Sequence, residues 1–339
     1  MSTDAVGGVW TYADELRTAL GDAGVEVVLA TLGPAPPPHE DAHYLRCRLE
    51  WQEDPWRDVR MSGEWLRELA EDERADVVHL NGYAHAAAPW PVPVVSVAHS
   101  CVLSWHEAVR GTPAGESWER YRREVAAGLN GADMVVAPTS AMRAHLRRHY
   151  ALRGRCRVIP NGVSPHPPQR ASRRRVVLGA GRLWDEAKGL DTLDGAAALI
   201  DWPVVVAGDR GGVAARHATL LGPLDRDELR KRMGRAAIFA HPARYEPFGL
   251  AVLEAANAGC ALVLGDIPSL REQWDRAAVF VAPGDEQALA TALRELIADE
   301  ELRGSMAIRA RLRARCNDAR TMAARYLALY TRLRAQVAA

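Results

Sequence analysis

The chain has 339 residues, 48% hydrophobic and 25% charged, which suits two globular domains of ordinary size. Its 43 basic and 43 acidic residues cancel, so no overall field draws it to nucleic acid, and no nucleic-acid partner is expected. No apolar run approaches the ~20 residues of a membrane span and no signal peptide opens the chain, so a cytoplasmic protein is expected.

In the first half, short apolar runs predict strands at 25–31, 75–80, 92–99, 133–138 and 157–159. Amphipathic stretches at 9–20, 62–73, 117–129 and 140–149 predict the helices between them. Proline and charge interrupt this rhythm at 164–175, which reads as a linker. It then restarts with strands at 176–180, 204–207, 218–221, 236–240, 261–264 and 278–281. The matching helices are 190–199, 225–233, 250–258, 287–298 and 321–336. Such alternation predicts an α/β fold of two Rossmann-like, doubly wound domains, with a ligand crevice at the carboxyl ends of their parallel sheets. The expected boundaries are 1–165, 166–318 and a final helix, 319–339, packing back on the first domain.

A doubly wound sheet is built on a first strand that runs into its glycine turn. Here only Met1, Ser2 and Thr3 precede Asp4-Ala5-Val6-Gly7-Gly8, so the first strand reads as truncated. Translation is expected to begin several residues upstream, because a missing central strand leaves backbone groups unpaired.

Cys47, Cys101, Cys156, Cys260 and Cys316 lack metal-ligand spacing, and a reduced protein without a zinc site is expected. Cys260, beside Gly259, reads as a small buried residue rather than a nucleophile. Lysine occurs only at 188 and 231, the other basic residues being arginine.

Three motifs bear on chemistry. Gly7 and Gly8 open a helix whose first amides suit an anion, although two glycines also mark a plain turn. Residues 181–189, GRLWDEAKG, follow a strand directly and bring Arg182 and Lys188 to its carboxyl end, where two cations suit a departing diphosphate. Residues 246–254, EPFGLAVLE, start a helix at Phe248-Gly249-Leu250 and carry Glu246 and Glu254, just over two turns apart. Carboxylates accept hydrogen bonds from sugar hydroxyls. Helix-dipole preference and a solvated face explain two glutamates equally well.

The order of these pieces is what distinguishes them. The Gly-Gly turn is followed by DVVH at 76–79, His99, IPNGV at 159–163, GRLWDEAKG, AGD at 207–209, LLGPL at 220–224 and EPFGLAVLEAANAG. In this order the chain resembles the retaining glycosyltransferases of the GT-B fold, specifically glycosyltransferase family 4. The resemblance implies two domains facing a central cleft and transfer of a sugar from a nucleotide-diphosphate sugar, as co-substrate, to an acceptor hydroxyl. It implies that Arg182 and Lys188 hold the donor diphosphate and that Glu246 contacts the transferred sugar. Glu254 would bind the ribose, the backbone of Phe248, Gly249 and Leu250 would join the site, and Gly7 and Gly8 would face the diphosphate from the other domain. His99 matches a family position near donor sugar and acceptor, whereas His79 reads as structural. Ser164 stands where the family often has aspartate, and AGCALVLGD at 258–266 replaces a commoner small-Pro-Val pattern.

No cofactor and no metal are expected, since fixed cations replace the metal and no Asp-x-Asp cluster is recognised. The donor is expected to be a UDP- or GDP-sugar. The acceptor is unspecified: a glycan, a lipid-linked sugar or a small molecule. Arginine stretches at 120–123 and 143–148 suit an anionic lipid surface or plain solvated helix faces, so peripheral contact with the inner membrane face is open. A disaccharide phosphorylase of the same fold and a non-catalytic sugar-nucleotide-binding module are the alternatives.

Overall fold

A computed structural model describes every residue except 6, 38–41, 166–172 and 338–339. Val6 and most of the expected linker therefore lie outside the described residues. Two compact units are present, Met1–Gly162 together with Ala319–Ala339, and Val163–Asp318.

The first unit opens with β1 (Ser2–Asp4), α1 (Gly8–Asp22), β2 (Ala30–Gly33), β3 (His43–Arg46) and α2 (Trp56–Asp72). It continues with β4 (Val78–Leu80), β5 (Val94–Val97), α3 (Val102–Arg110), α4 (Glu119–Gly131), β6 (Met134–Ala137), α5 (Ser140–Tyr150) and β7 (Cys156–Val158). All ladders are parallel, in two pieces ordered β1-β2-β3 and β4-β5-β6-β7. β1 is present but only three residues long. Where a β1–β4 ladder would run, Asn81 reaches across instead, its Nδ2 donating to the Ser2 carbonyl at 2.8 Å and its backbone N–H to Ser2 Oγ at 3.2 Å.

The short β1 changes what its neighbours do. The expected strand 25–31 forms ladders only from Ala30 onward, because β1 offers partners no earlier than Ser2. Before that point the Met1 ammonium donates to the Val28 carbonyl at 2.6 Å, and burial lowers its pKa to about 5. A cavity of about 420 Å³ lies beside it, lined among others by Val27, Leu66, Val77, Trp90 and Tyr330. β3 and α3 were not legible in the sequence. β3 is a half-exposed edge strand without clean alternation, and α3 is a short helix capped by the Cys101 thiol, which accepts from Ser104 N–H.

The second unit runs β8 (Arg174–Ala180), α6 (Leu190–Ala197), β9 (Val204–Ala207), β10 (Thr219–Gly222), α7 (Arg226–Arg235) and β11 (Ala236–His241). Then come α8 (Leu250–Asn257), β12 (Ala261–Gly265), α9 (Pro268–Trp274), β13 (Val279–Val281), α10 (Glu286–Ala298) and α11 (Glu300–Ala314). The last helix, α12 (Ala319–Val337), belongs to the first unit and packs on α1. The sheet is parallel, ordered β10-β9-β8-β11-β12-β13. The chain winds outward from β8 to β10, then returns to the other side of β8 with β11. That reversal creates a crevice outside the carboxyl ends of β8 and β11.

β11 is buried at all six positions, as a central strand covered on both faces must be. Its Phe239 sits opposite Leu178 of β8 and is fully buried; truncating such a side chain to alanine costs about 3–5 kcal/mol. Cys260 is likewise buried, its thiol donating to the Met233 carbonyl at 3.1 Å and pushed up to about 11 by desolvation. No helix among the described residues is long and apolar enough to cross a membrane.

Candidate active site

Loops at the carboxyl ends of β8 and β11 carry a cluster of charged residues, Arg182, Asp185, Lys188 and Glu246. After β8, Leu183 N–H donates to the Asp209 carbonyl at 2.8 Å, which fixes the loop against the end of β9. Asp185 caps a short 3-10 turn over Glu186–Lys188 by accepting from Ala187 N–H at 3.1 Å. Its other oxygen takes the Arg182 guanidinium at 3.1 Å, while that guanidinium lies 5.3 Å from the centre of the Trp184 ring. Arg182 thus projects in one direction although its side chain keeps 36% of its exposure. Gly189 ends the turn at φ 68°, and a Cβ there would lie 2.4 Å from the Pro242 carbonyl oxygen, so only glycine fits.

Lys188 Nζ is 2.8 Å from Glu246 Oε2, and His241 Nε2 is 3.1 Å from the same oxygen. His241 is the last residue of β11 and is buried. Burial by itself would raise the Glu246 pKa; the Lys188 ammonium and the His241 hydrogen bond outweigh it and hold the carboxyl far below the ordinary range. Each side chain keeps 15% of its exposure, so the pair is largely but not fully withdrawn from water. The Arg244 N–H closes the arrangement by donating to the Ala187 carbonyl at 2.8 Å, tying the two loops together.

Three residues on, Gly249 caps α8 at φ 89°, a left-handed conformation that disfavours any side chain. No side chain caps this helix start. Phe248 packs into the core, so what it can offer a ligand is backbone. Glu254, farther along α8, stands in a different ion-pair group: its Oε1 lies 3.1 Å from Arg226 Nε and 3.6 Å from Arg230 Nη2, both on α7. The two glutamates of the motif therefore have separate cationic partners.

An Asp-Arg-Asp triplet does occur, at Asp225–Asp227, and corrects the sequence reading that recognised none. Asp225 is the N-cap of α7, accepting from Glu228 N–H at 2.8 Å, and the Asp227 side chain is 81% exposed. Helix capping accounts for the triplet.

In the first unit the equivalent turn holds Gly7 and Gly8. Gly7 caps α1 at φ 67°, both glycines are exposed, and neither a side-chain cap nor an acidic residue occupies the first turn. These amides suit an anion. Beyond β5, His99 Nε2 lies 2.9 Å from Asn81 Oδ1, and its ring packs edge-on against Tyr12 at 4.5 Å between centres. The bond from Asn81 Nδ2 to Ser2 makes Oδ1 the acceptor, so His99 carries its proton on Nε2. Desolvation lowers the His99 pKa to about 3, leaving it neutral. His79 is fully enclosed: Nε2 faces Asn81 Oδ1 at 3.2 Å and Nδ1 faces the Tyr330 hydroxyl of α12 at 2.6 Å. Desolvation, then the nearby N-terminal ammonium, lowers it to about 3.

Sequence reasoning missed His241, Asn81 and the arginine pair opposite Glu254. His241 had a signal, a polar residue ending a fully apolar run five residues before Glu246. Asn81 and Arg226 had none, since their roles depend on strand order.

The chain matches two family models, "Glycosyltransferase Family 4" over residues 6–166 and "Glycosyl transferases group 1" over residues 165–313. It is 27% identical to the glycogen synthase of Mycobacterium tuberculosis over 356 residues, covering 87% of this chain and 83% of that protein. Its fold is similar to sucrose-phosphate synthase from Thermosynechococcus elongatus, with a TM-score of 0.82 at 21% identity over 99% of this chain and 96% of the other. It is also similar to Anabaena HepE, solved in complex with UDP-glucose, with a TM-score of 0.74 at 17% identity and 97% coverage of both chains. With models that together span residues 6–313, the chain belongs to the family 4, group 1 glycosyltransferases of the GT-B fold.

Proposed function

We propose that this glycosyltransferase moves a sugar from a nucleotide-diphosphate sugar to an acceptor hydroxyl with retention at the anomeric carbon and without a metal. The observation that carries this reading is the fixed ammonium of Lys188, held by Glu246 at 2.8 Å at the switch point of a doubly wound sheet. Arg182, steadied by Asp185, is the second cation of the same loop. As the bond between anomeric carbon and diphosphate breaks, negative charge grows on the departing phosphate. Two preorganised cations stabilise that charge without reorganising at the moment of reaction. The acceptor oxygen bonds to the carbon on the face the phosphate leaves, and its proton passes to the departing phosphate oxygen.

Glu246 is ionised throughout the working range, and its Oε2 already accepts hydrogen bonds from Lys188 Nζ and His241 Nε2. Its other oxygen suits a donor-sugar hydroxyl better than it suits proton transfer. The uncapped amides at Gly249 and Leu250 supply donors for the same sugar. Glu254, steadied by Arg226, serves the ribose. HepE, a neighbour of the same fold, was solved with UDP-glucose, which supports a UDP-sugar as the first donor to try; a GDP-sugar is the second.

The test is thermal protection by UDP, GDP and inorganic phosphate, followed by turnover of the corresponding sugars with and without chelator. Protection by a nucleoside diphosphate, turnover that survives chelator and a product of unchanged anomeric configuration are the expected results. Protection by phosphate alone would replace the reading with a phosphorylase. Loss of turnover in chelator with recovery in manganese would remove metal independence.

A further inference from the structure

Away from these residues, α3 and α5 of the first unit bring together Glu107, His145 and His149. The two histidines are four residues apart on α5 and so share one face of the helix. Their rings are parallel, with centres 6.1 Å apart. Glu107 comes from α3, and one ligand atom from each of the three residues lies within 4.8 Å of the others.

The geometry of the closest pair is informative. His149 Nε2 and Glu107 Oε2 are 3.1 Å apart and buried, yet they form no hydrogen bond of ordinary geometry. Two ligands on one tetrahedral ion at about 2.0–2.1 Å stand roughly 3.3 Å apart, each aimed at the ion rather than at the other. Glu107 Oε1 is taken by Arg148 at 2.6 Å, which fixes the carboxylate and leaves Oε2 toward the histidines. The side chains of Glu107 and His149 keep 31% and 17% of their exposure, so the cluster lies near the surface of the unit, where water can complete the coordination.

From this arrangement we infer that Glu107, His145 and His149 form a site for a divalent transition metal of the zinc class. Two imidazoles and one carboxylate with an open position suit Zn(II) over the hard cations Mg(II) and Ca(II), which favour all-oxygen sets. The ion staples α3 to α5. It contacts none of the residues given a part in glycosyl transfer, so the inference is independent of the metal-free mechanism.

Titration of the full chain with Co(II), followed by visible absorption, and with Zn(II) against a chromophoric chelator reads the site directly. One site per chain is expected, with the intense visible bands of low-coordinate Co(II). Glu107→Gln and His149→Ala, changes on two different helices, are each expected to weaken Zn(II) by at least tenfold. The thermal stabilisation that Zn(II) gives the parent chain is expected to disappear in both. No stoichiometric site in the parent chain, or parental affinity in Glu107→Gln and His149→Ala, would overturn the assignment.

Discussion

The two units are two versions of one winding, and they equip the same topological point differently. In the second, the reversal between β8 and β11 is charged: Lys188, Glu246 and Arg182 with its Asp185 partner. In the first, the corresponding point after β1 and β4 carries exposed glycine amides, Asn81 and two uncharged imidazoles, with the acidic Asp4 and Glu50 beside them. A parallel sheet that reverses its winding leaves a crevice whatever its sequence, so the fold supplies the place and the loop residues supply the chemistry. The contrast is one of fixed cations at the reversal in the second unit against backbone amides and uncharged imidazoles in the first.

Mutations at the charged point should have the largest effects. Lys188→Ala and Arg182→Ala are each expected to lower kcat by roughly a hundredfold or more, as loss of a charge-stabilising group does. Near-parental rates in initial-velocity assays would break the contrast at once. Glu246→Gln keeps the shape but removes the charge that anchors Lys188, and a loss of some tens-fold in kcat/KM is expected, read in the same assay.

Acid should separate the units in a different way. The folded pKa of His79, about 3, lies below its ordinary 6.5, so the unfolded chain binds the proton first as pH falls. Its contribution to stability is full above pH 6.5 and is lost between 6.5 and about 3, at about 1.4 kcal/mol per pH unit. Glu246, also depressed, keeps its contribution down to its ordinary value of 4.5 and loses it only below. Hydrogen exchange at pH 7 and pH 5 should therefore show the first unit losing protection before the second. The reverse order would contradict the neutral assignment of His79. The smallest effect is expected at His99: His99→Ala should reduce turnover by about tenfold without changing affinity for a nucleoside diphosphate, as checked by calorimetry.

Much of this was legible in the sequence, for identifiable reasons. Val204–Ala207 and Ala261–Gly265 are short apolar runs between turn residues, too short for an ordinary helix and suited to a buried parallel strand. Arg182, Lys188 and Glu246 could be singled out because each follows such a strand closely. What sequence could not convey was pairing. That Lys188 and His241 share one carboxylate oxygen depends on β8 and β11 being neighbours, although 58 residues separate Lys188 from Glu246. α11 escaped notice because arginines interrupt its apolar face, although Asp299 caps it by accepting from Leu302 N–H. The strand expected at 25–31 formed only in part because its partner β1 is three residues long, a fact about pairing rather than propensity.

Lys188 is expected to answer the charge of the donor's terminal phosphate. Calorimetry with a nucleoside diphosphate and the matching monophosphate, on the parent chain and on Lys188→Ala, reads that role. A preference for the diphosphate of tenfold or more in the parent, abolished in Lys188→Ala while monophosphate affinity is kept, is the result predicted. An undiminished diphosphate preference in Lys188→Ala would contradict it.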